Sequence, residues 1–275
     1  MPELARFIFT YLYAAACSVY LFTLGILSAR NRGLLSTIAE HFGYRRTVSA
    51  LPVARLADLN DSDESVRLLE LASADGNVST LELVVLATLV RRLKPRTILE
   101  IGTFDGRTTL NLAANCSQET RIYTLDLPRE QVSSTALPLA RGEDAYVNKE
   151  RSGSRFLGTE YSDRIVQLLG DSASFDFSGL GKMDFIFIDG SHAYEYVLRD
   201  SRTAINLLSV QGGVIVWHDY TQWEGVNKAL NELFQAGGEF KDLRQIEQTT
   251  MAYLPVKVNV SQANLTREAV PARTS

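Results

Sequence analysis

The stretch Arg96-Thr-Ile-Leu-Glu-Ile-Gly-Thr-Phe-Asp-Gly-Arg-Thr-Thr109 is an apolar run broken by glycine that reopens as a helix. Thr97 to Ile101 is short and mostly β-branched or aliphatic, as suits a strand buried on both faces of a parallel sheet. Gly102 and Gly106 let the backbone bend sharply and approach a ligand, and the helix that follows points unpaired N–H groups at whatever sits there. In outline this is a cofactor pocket.

Glycine spacing narrows the cofactor. A dinucleotide fingerprint needs three glycines as G-x-G-x-x-G so that a pyrophosphate can lie against the helix start. Here Glu100 stands where the first glycine would be. A carboxylate there repels a pyrophosphate and tolerates a cofactor carrying an amine and a sulfonium. The pattern Glu100, Gly102, Gly106 resembles the first motif of the class I S-adenosylmethionine-dependent methyltransferases.

Outward from the turn, strands and helices alternate. Leu81, Val84, Val85, Leu89 and Val90 recur at helical spacing after an N-cap at Ser79 or Thr80, until Lys94-Pro95 stops the helix. A helix over 108–114 precedes a strand over 121–127, then strands over 165–169, 183–190 and 214–217, helices over 194–208 and 224–235, and a closing hairpin over 240–258. This order predicts an α/β fold, a Rossmann-like doubly wound and mostly parallel seven-stranded sheet with a C-terminal antiparallel hairpin. Ligands lie over the carboxyl ends of such strands, where Gly102, Asp126, Asp171, Asp189 and Asp219 all fall. Asp126, about 20 residues beyond the turn, is placed to accept both hydroxyls of a ribose. The polar run 129–162 is longer than an ordinary connection and reads as a lid or a solvated excursion.

The chain has three histidines, and two of them, His192 and His218, sit just past consecutive core strands beside Asp189 and Asp219. Four ionisable groups at one sheet edge point to chemistry. The phrases Phe-Ile-Asp-Gly-Ser-His-Ala-Tyr-Glu, from Phe187, and Trp-His-Asp-Tyr, from Trp217, resemble later motifs of the bacterial type-24 methyltransferase family, relatives of small-molecule O-methyltransferases. With the first motif they span about 80–258. The resemblance implies methyl transfer from S-adenosylmethionine, with Glu100, Gly102, Thr103 and Gly106 around the methionine part and Asp189 at its edge. It implies Asp126 on the ribose and Asp171 with Ser172 near the adenine. In metal-dependent relatives such as catechol O-methyltransferase, an acid after the fourth strand and a pair after the fifth hold a divalent cation, here Asp189, His218 and Asp219. His218 replaces an acid in that pattern, which disfavours magnesium, since magnesium prefers oxygen ligands. Two mechanisms stay open. A cation such as magnesium or manganese on Asp189 and Asp219 activates a hydroxyl, or neutral His192 or His218 takes its proton as general base.

A chain of 275 residues with 45% hydrophobic content suits one large α/β domain with an appendage. A net charge of −4 argues against a nucleic-acid partner, which would need a basic face. Cys17 and Cys116 have no metal-type spacing and read as two buried thiols. From Phe7 to Ala29 there is no charged residue, enough for a helix of about 20 residues to span a bilayer. Its tyrosines, with Thr10, Ser18 and Thr23, make a buried or partner-docking helix a competitor. Arg30, Arg32, Arg45 and Arg46 after the run, against Arg6 offset by Glu3 before it, orient the body to the cytoplasmic side. The expected organisation is therefore an apolar helix in 1–30, a helical lead-in over 31–79, the catalytic domain over 80–258 and a disordered tail over 259–275. The acceptor is a small-molecule or glycan hydroxyl, and a homo-oligomer is compatible with the sequence. Two other readings compete, a membrane-tethered non-catalytic nucleotide-binding protein and an NAD-dependent oxidoreductase. The missing glycines count against the latter.

Overall fold

The computed structural model describes residues 2–28, 31–32, 34–35, 38–39, 42, 47–59, 65–74 and 76–257. The chain divides into two compact units, Met1–Arg46 and Thr47–Ser275. The first is built on helix α1, Pro2–Phe22, followed by a short 3₁₀ turn at Leu24–Leu27. The helix therefore starts earlier and ends earlier than the uncharged run 7–29. It is long and apolar enough to cross a membrane, and Phe7, Phe9, Leu12 and Val19 are exposed along it. The hydroxyls that make the sequence less apolar are spent within the helix: Thr10 donates to Arg6 O, Ser18 to Ala14 O and Thr23 to Val19 O. The arginines at 30, 45 and 46 lie outside the described residues, as does the tail 259–275.

The second unit is an eight-stranded sheet in the order β1-β7-β8-β6-β5-β2-β3-β4. Its strands are β1 (Val53–Ala54), β2 (Thr97–Ile101), β3 (Arg121–Asp126), β4 (Ile165–Leu169), β5 (Phe185–Ile188), β6 (Gly212–Trp217), β7 (Arg244–Ile246) and β8 (Ala252–Lys257). All pairings are parallel except those of β8, which runs antiparallel to both β6 and β7. The expected seven strands are present, and the eighth, β1, is a two-residue edge strand beside β7. It arises from the segment expected to be a helical lead-in. Among that segment's described residues, 31–32, 34–35, 38–39 and the helix α2, Leu56–Leu59, are helical, and 65–74 forms neither helix nor strand. Asp58 in that segment pairs with Arg55 at 2.8 Å.

Alternation along the strands divides the core. Leu99, Ile101, Ile186, Ile188, Ile215 and Trp217 face helices α6 (Tyr194–Leu207) and α7 (Glu224–Ala236). Ile98, Ile122, Phe185, Phe187 and Val216 face α3 (Thr80–Leu93) and α4 (Arg107–Asn115) on the other side. Helix α5, Asp144–Val147, is a single turn within the excursion 129–162. The start of α3 is a capping box: Ser79 Oγ accepts from Glu82 N, and Ser79 N donates to the Glu82 carboxylate at 2.7 Å. The left-handed Lys94 ends it ahead of Pro95. Neither cysteine is fully buried. Cys17 is exposed on α1 and Cys116 is half-buried, its thiol pushed up to about 12 by desolvation.

Candidate active site

The ends of β2, β3, β4, β5 and β6 open onto one cavity of about 1140 Å³, counted to its open mouth. At its floor the turns after β2 and β5 touch through their main chains. Gly102 has φ +101°, and a Cβ there would lie 1.9 Å from Asp189 O, so no other residue fits. The contact is fixed by Asp189 N donating to Ile101 O at 2.7 Å. Gly106 also has a positive φ, but the space a side chain would need is filled by Phe156 and Gly153, and it lies off the cavity lining. Thr103 and Glu100 are off it as well, buried behind the turn. Thr103 Oγ1 lies 2.6 Å from Thr124 Oγ1. One oxygen of Glu100 accepts from Thr109 and Thr124, and the other has no partner. Desolvation raises this carboxyl to about 8, against its threonine bonds, so it is neutral at pH 7.

Of the remaining expected residues, Gly102, Asp126, Asp171, Ser172, Asp189, His192, His218 and Asp219 all line the cavity. Asp126 is already engaged: Lys149 Nζ lies 2.8 Å from Oδ2, and Ser152 Oγ donates to the same oxygen. Asp171 accepts from Tyr196 Oη at 2.8 Å and Ala173 N at 3.0 Å through Oδ1, and from Ala136 N at 2.6 Å through Oδ2. It thereby ties the end of β4 to α6 and to the excursion.

The two histidines form an unbroken chain with four carboxylates. Glu82 Oε2 lies 3.3 Å from His218 Nε2, and His218 Nδ1 lies 3.1 Å from Asp189 Oδ1 and 3.2 Å from Asp219 Oδ2. The same Asp219 oxygen lies 2.8 Å from His192 Nε2, and His192 Nδ1 lies 2.7 Å from Glu143 Oε1. Every ring nitrogen faces an acceptor. Burial would lower the His192 value, but its bonds to Asp219 and Glu143 outweigh that and raise it to about 9. Burial likewise opposes a charge on His218, and the surrounding Asp189, Asp219 and Glu82 still hold it well above the ordinary histidine range. The neutral imidazole expected from sequence is thus the minority form of both rings at pH 7. Burial alone would raise Glu82, Glu143 and Asp219, yet the histidines bring all three below the usual carboxylate range. Asp219 sits at φ +62°, backbone strain located at the centre of the chain.

One oxygen of Asp189, one of Asp219 and one nitrogen of His218 lie within 4.8 Å of one another, close enough for one ion to bridge them. Glu82 on the far ring nitrogen would orient that imidazole as a ligand once Nδ1 had lost its proton. This set of one imidazole and two carboxylates fits a transition dication such as manganese better than magnesium.

Three contributors were not legible as site residues. Glu82 was visible only as the fourth residue of a capping box, Glu143 stands in a polar excursion without a motif, and Trp223 follows the last motif at no diagnostic spacing. Glu143 is buried and accepts from His192 Nδ1, His192 N, Ser191 Oγ and Ala140 N. Trp223 stacks on the His192 ring at 4.2 Å and 8°. Another covering element is the irregular strap formed by 65–74 and 76–78, whose Gly76 and Asn77 line the cavity. It is gripped by its backbone from one face of α4. Asn115 bonds both N and O of Arg67, and Asn111 bonds both N and O of Leu69. Arg107, fully buried, donates to Glu70 O, Leu71 O and Val78 O.

Residues 99–220 match the sequence profile of a family described as a methyltransferase domain. No curated protein matches the chain in sequence. Similar solved structures include an O-methyltransferase of Streptomyces achromogenes involved in tomaymycin synthesis, in complex with SAM. It is 21% identical over 66% of this chain and 82% of that one, with TM-score 0.49. Another is an O-methyltransferase of Bacillus cereus in complex with SAH, 21% identical over 67% and 84%, TM-score 0.45. An SAH-bound methyltransferase of Podospora anserina is 18% identical over 66% of this chain and 80% of that one, TM-score 0.48. The glycine turn after β2, the acid ending β3 and the Asp-Gly-Ser-His and His-Asp strand ends all fall within the matched residues, so it is over 99–220 that this chain is similar to a methyltransferase domain.

Proposed function

We propose that the chain transfers the methyl group of S-adenosylmethionine to an acceptor hydroxyl. The observation that carries this is the joining of Asp189, His192, His218 and Asp219 in one cavity with Gly102 and Asp126. Gly102 lets the cofactor approach the main chain, and Asp126 accepts the ribose hydroxyls once Lys149 and Ser152 give way. Ser172, beside Asp171, borders the adenine. His192 is the general base. It acts in its deprotonated form, the minority at pH 7: Nδ1–H stays on Glu143, and Nε2, once its own proton has passed to solvent, takes the acceptor's. Much of the acceleration comes from holding the hydroxyl oxygen in line with the methyl carbon and sulfur. A divalent cation, if bound, would be held by Asp189, Asp219 and His218 and would lower the acceptor's pKa. Helix α1 inserts in a membrane and keeps the catalytic unit on the cytoplasmic side.

Titrating S-adenosylhomocysteine calorimetrically into the detergent-solubilised full chain tests the reading, alongside Asp126→Ala and with and without manganese. Binding that weakens at least tenfold in the variant is expected. No binding in any condition leaves a tethered, non-catalytic α/β protein as the better account.

A further inference from the structure

The acceptor end of the cavity has a row of aromatic rings. Phe104, held at φ +49° just past the glycine turn, meets Tyr146 edge to face at 6.4 Å. Tyr146 meets the His192 ring at 6.4 Å and 69°, and His192 lies flat on Trp223 at 4.2 Å. All four line the cavity, with Leu139 and Val147 adding apolar wall. The row thus runs from the glycine turn to the general base. Aromatic groups pack at these spacings and edge-to-face angles because their faces are negative and their edges positive, so a further flat ring extends the row favourably.

The charges of the lining are one-sided. Five carboxylates border the cavity, those of Asp126, Glu143, Asp171, Asp189 and Asp219, and among its described lining residues Lys149 is the sole lysine or arginine. Lys149 is on Asp126. Each histidine is set between carboxylates, as described above. Among the described lining residues no lysine or arginine is left over to meet an acceptor's carboxylate, phosphate or sulfate, and both histidines are taken by carboxylates, so an anion entering here would lose hydration without gaining a partner.

Resting on the methyl-transfer reading above, we propose that the acceptor is a planar aromatic hydroxyl carrying no negative charge, seated against the row Phe104, Tyr146, His192 and Trp223. A positively charged phenol is accepted and a phenol bearing a carboxylate is refused. Aliphatic hydroxyls, including those of sugars, lack the flat face the row is built to meet.

The test uses the full chain in detergent with S-adenosylmethionine and four probes: methyl 3,4-dihydroxybenzoate, its free acid, tyramine and methyl glucoside. Methyl transfer is followed by product formation. Acceptor binding to the S-adenosylhomocysteine complex is followed by quenching of Trp223, the other tryptophan, Trp217, being buried in the core. We expect the ester and tyramine to bind and react at least tenfold better than the acid or the glucoside, and Gln222→Lys, at the cavity lining, to narrow the gap between ester and acid. Equal or better use of the acid or the glucoside overturns the proposal. A protein that binds S-adenosylhomocysteine but neither binds nor methylates the ester or tyramine also overturns it, and leaves methyl transfer standing. Failure to bind S-adenosylhomocysteine at all overturns the underlying reading instead.

Discussion

At Glu143 four donors converge on one buried carboxylate, and two of them belong to His192. Glu143 is a positioning residue for that ring, so Glu143→Gln is expected to lower kcat about tenfold or more while S-adenosylhomocysteine affinity stays within twofold. Single-turnover kinetics beside calorimetry reads the split. A loss of both together would mean that Glu143 only holds the fold. Glu100 makes a different case. Its carboxyl is raised in the folded state from 4.5 to about 8, so the native protein binds the extra proton between those values. The stability it contributes is complete below 4.5 and is lost as pH rises through 8. Relative to the parent, Glu100→Gln should therefore flatten the fall of stability between pH 5 and 9, by on the order of 3 kcal/mol. Denaturant unfolding at several pH values measures it, and parallel curves would mean that the carboxyl is ionised throughout. The sequence placed Glu100 at the cofactor because its spacing fits a motif; spacing does not say that Thr109 and Thr124 draw the side chain inward.

Among the elements, α4 does two jobs. Its first turn follows the glycine loop, and its face at Arg107, Asn111 and Asn115 grips the strap. Asn111→Ala removes two bonds to Leu69 and one to Arg107 O, with an expected loss of about 2 kcal/mol. Amide exchange at 67 and 69 should quicken while β2 keeps its protection. Unchanged exchange there would show the strap is held by its side chains. The strands and helices of the sheet were legible because apolar alternation and glycine punctuation are local signals. The strap was not: Val66, Leu68, Leu69 and Leu71 suggest a helix, and what takes up the segment's main-chain bonds instead is a pair of amides more than 40 positions away. The site divides in the same way. Acids at strand ends follow from topology, whereas Glu143 and Trp223 reach the histidines only through the course of the loops.

For the whole molecule, the first consequence is the membrane. Helix α1 carries no charged residue after Arg6, and the hydroxyls of Thr10 and Ser18 bond its own carbonyls, which lowers the cost of insertion. The full chain is expected to float with phospholipid vesicles, and Leu12→Arg, costing about 3 kcal/mol at a helix centre, should shift it toward the soluble fraction. A parent chain that fails to float would make α1 a protein-docking helix. A second consequence concerns how such a molecule can change. The strap is gripped through its main chain, and a peptide bond is the same whatever side chain it carries. Gly76 has no room for a Cβ beside Tyr146, and Glu70 and Asn77 bond Arg155 and Asp105 through their side chains, but the exposed positions 71–74 can be exchanged without touching the main-chain grip. A library over residues 71–74 can therefore vary the approach to the cavity while its floor stays untouched.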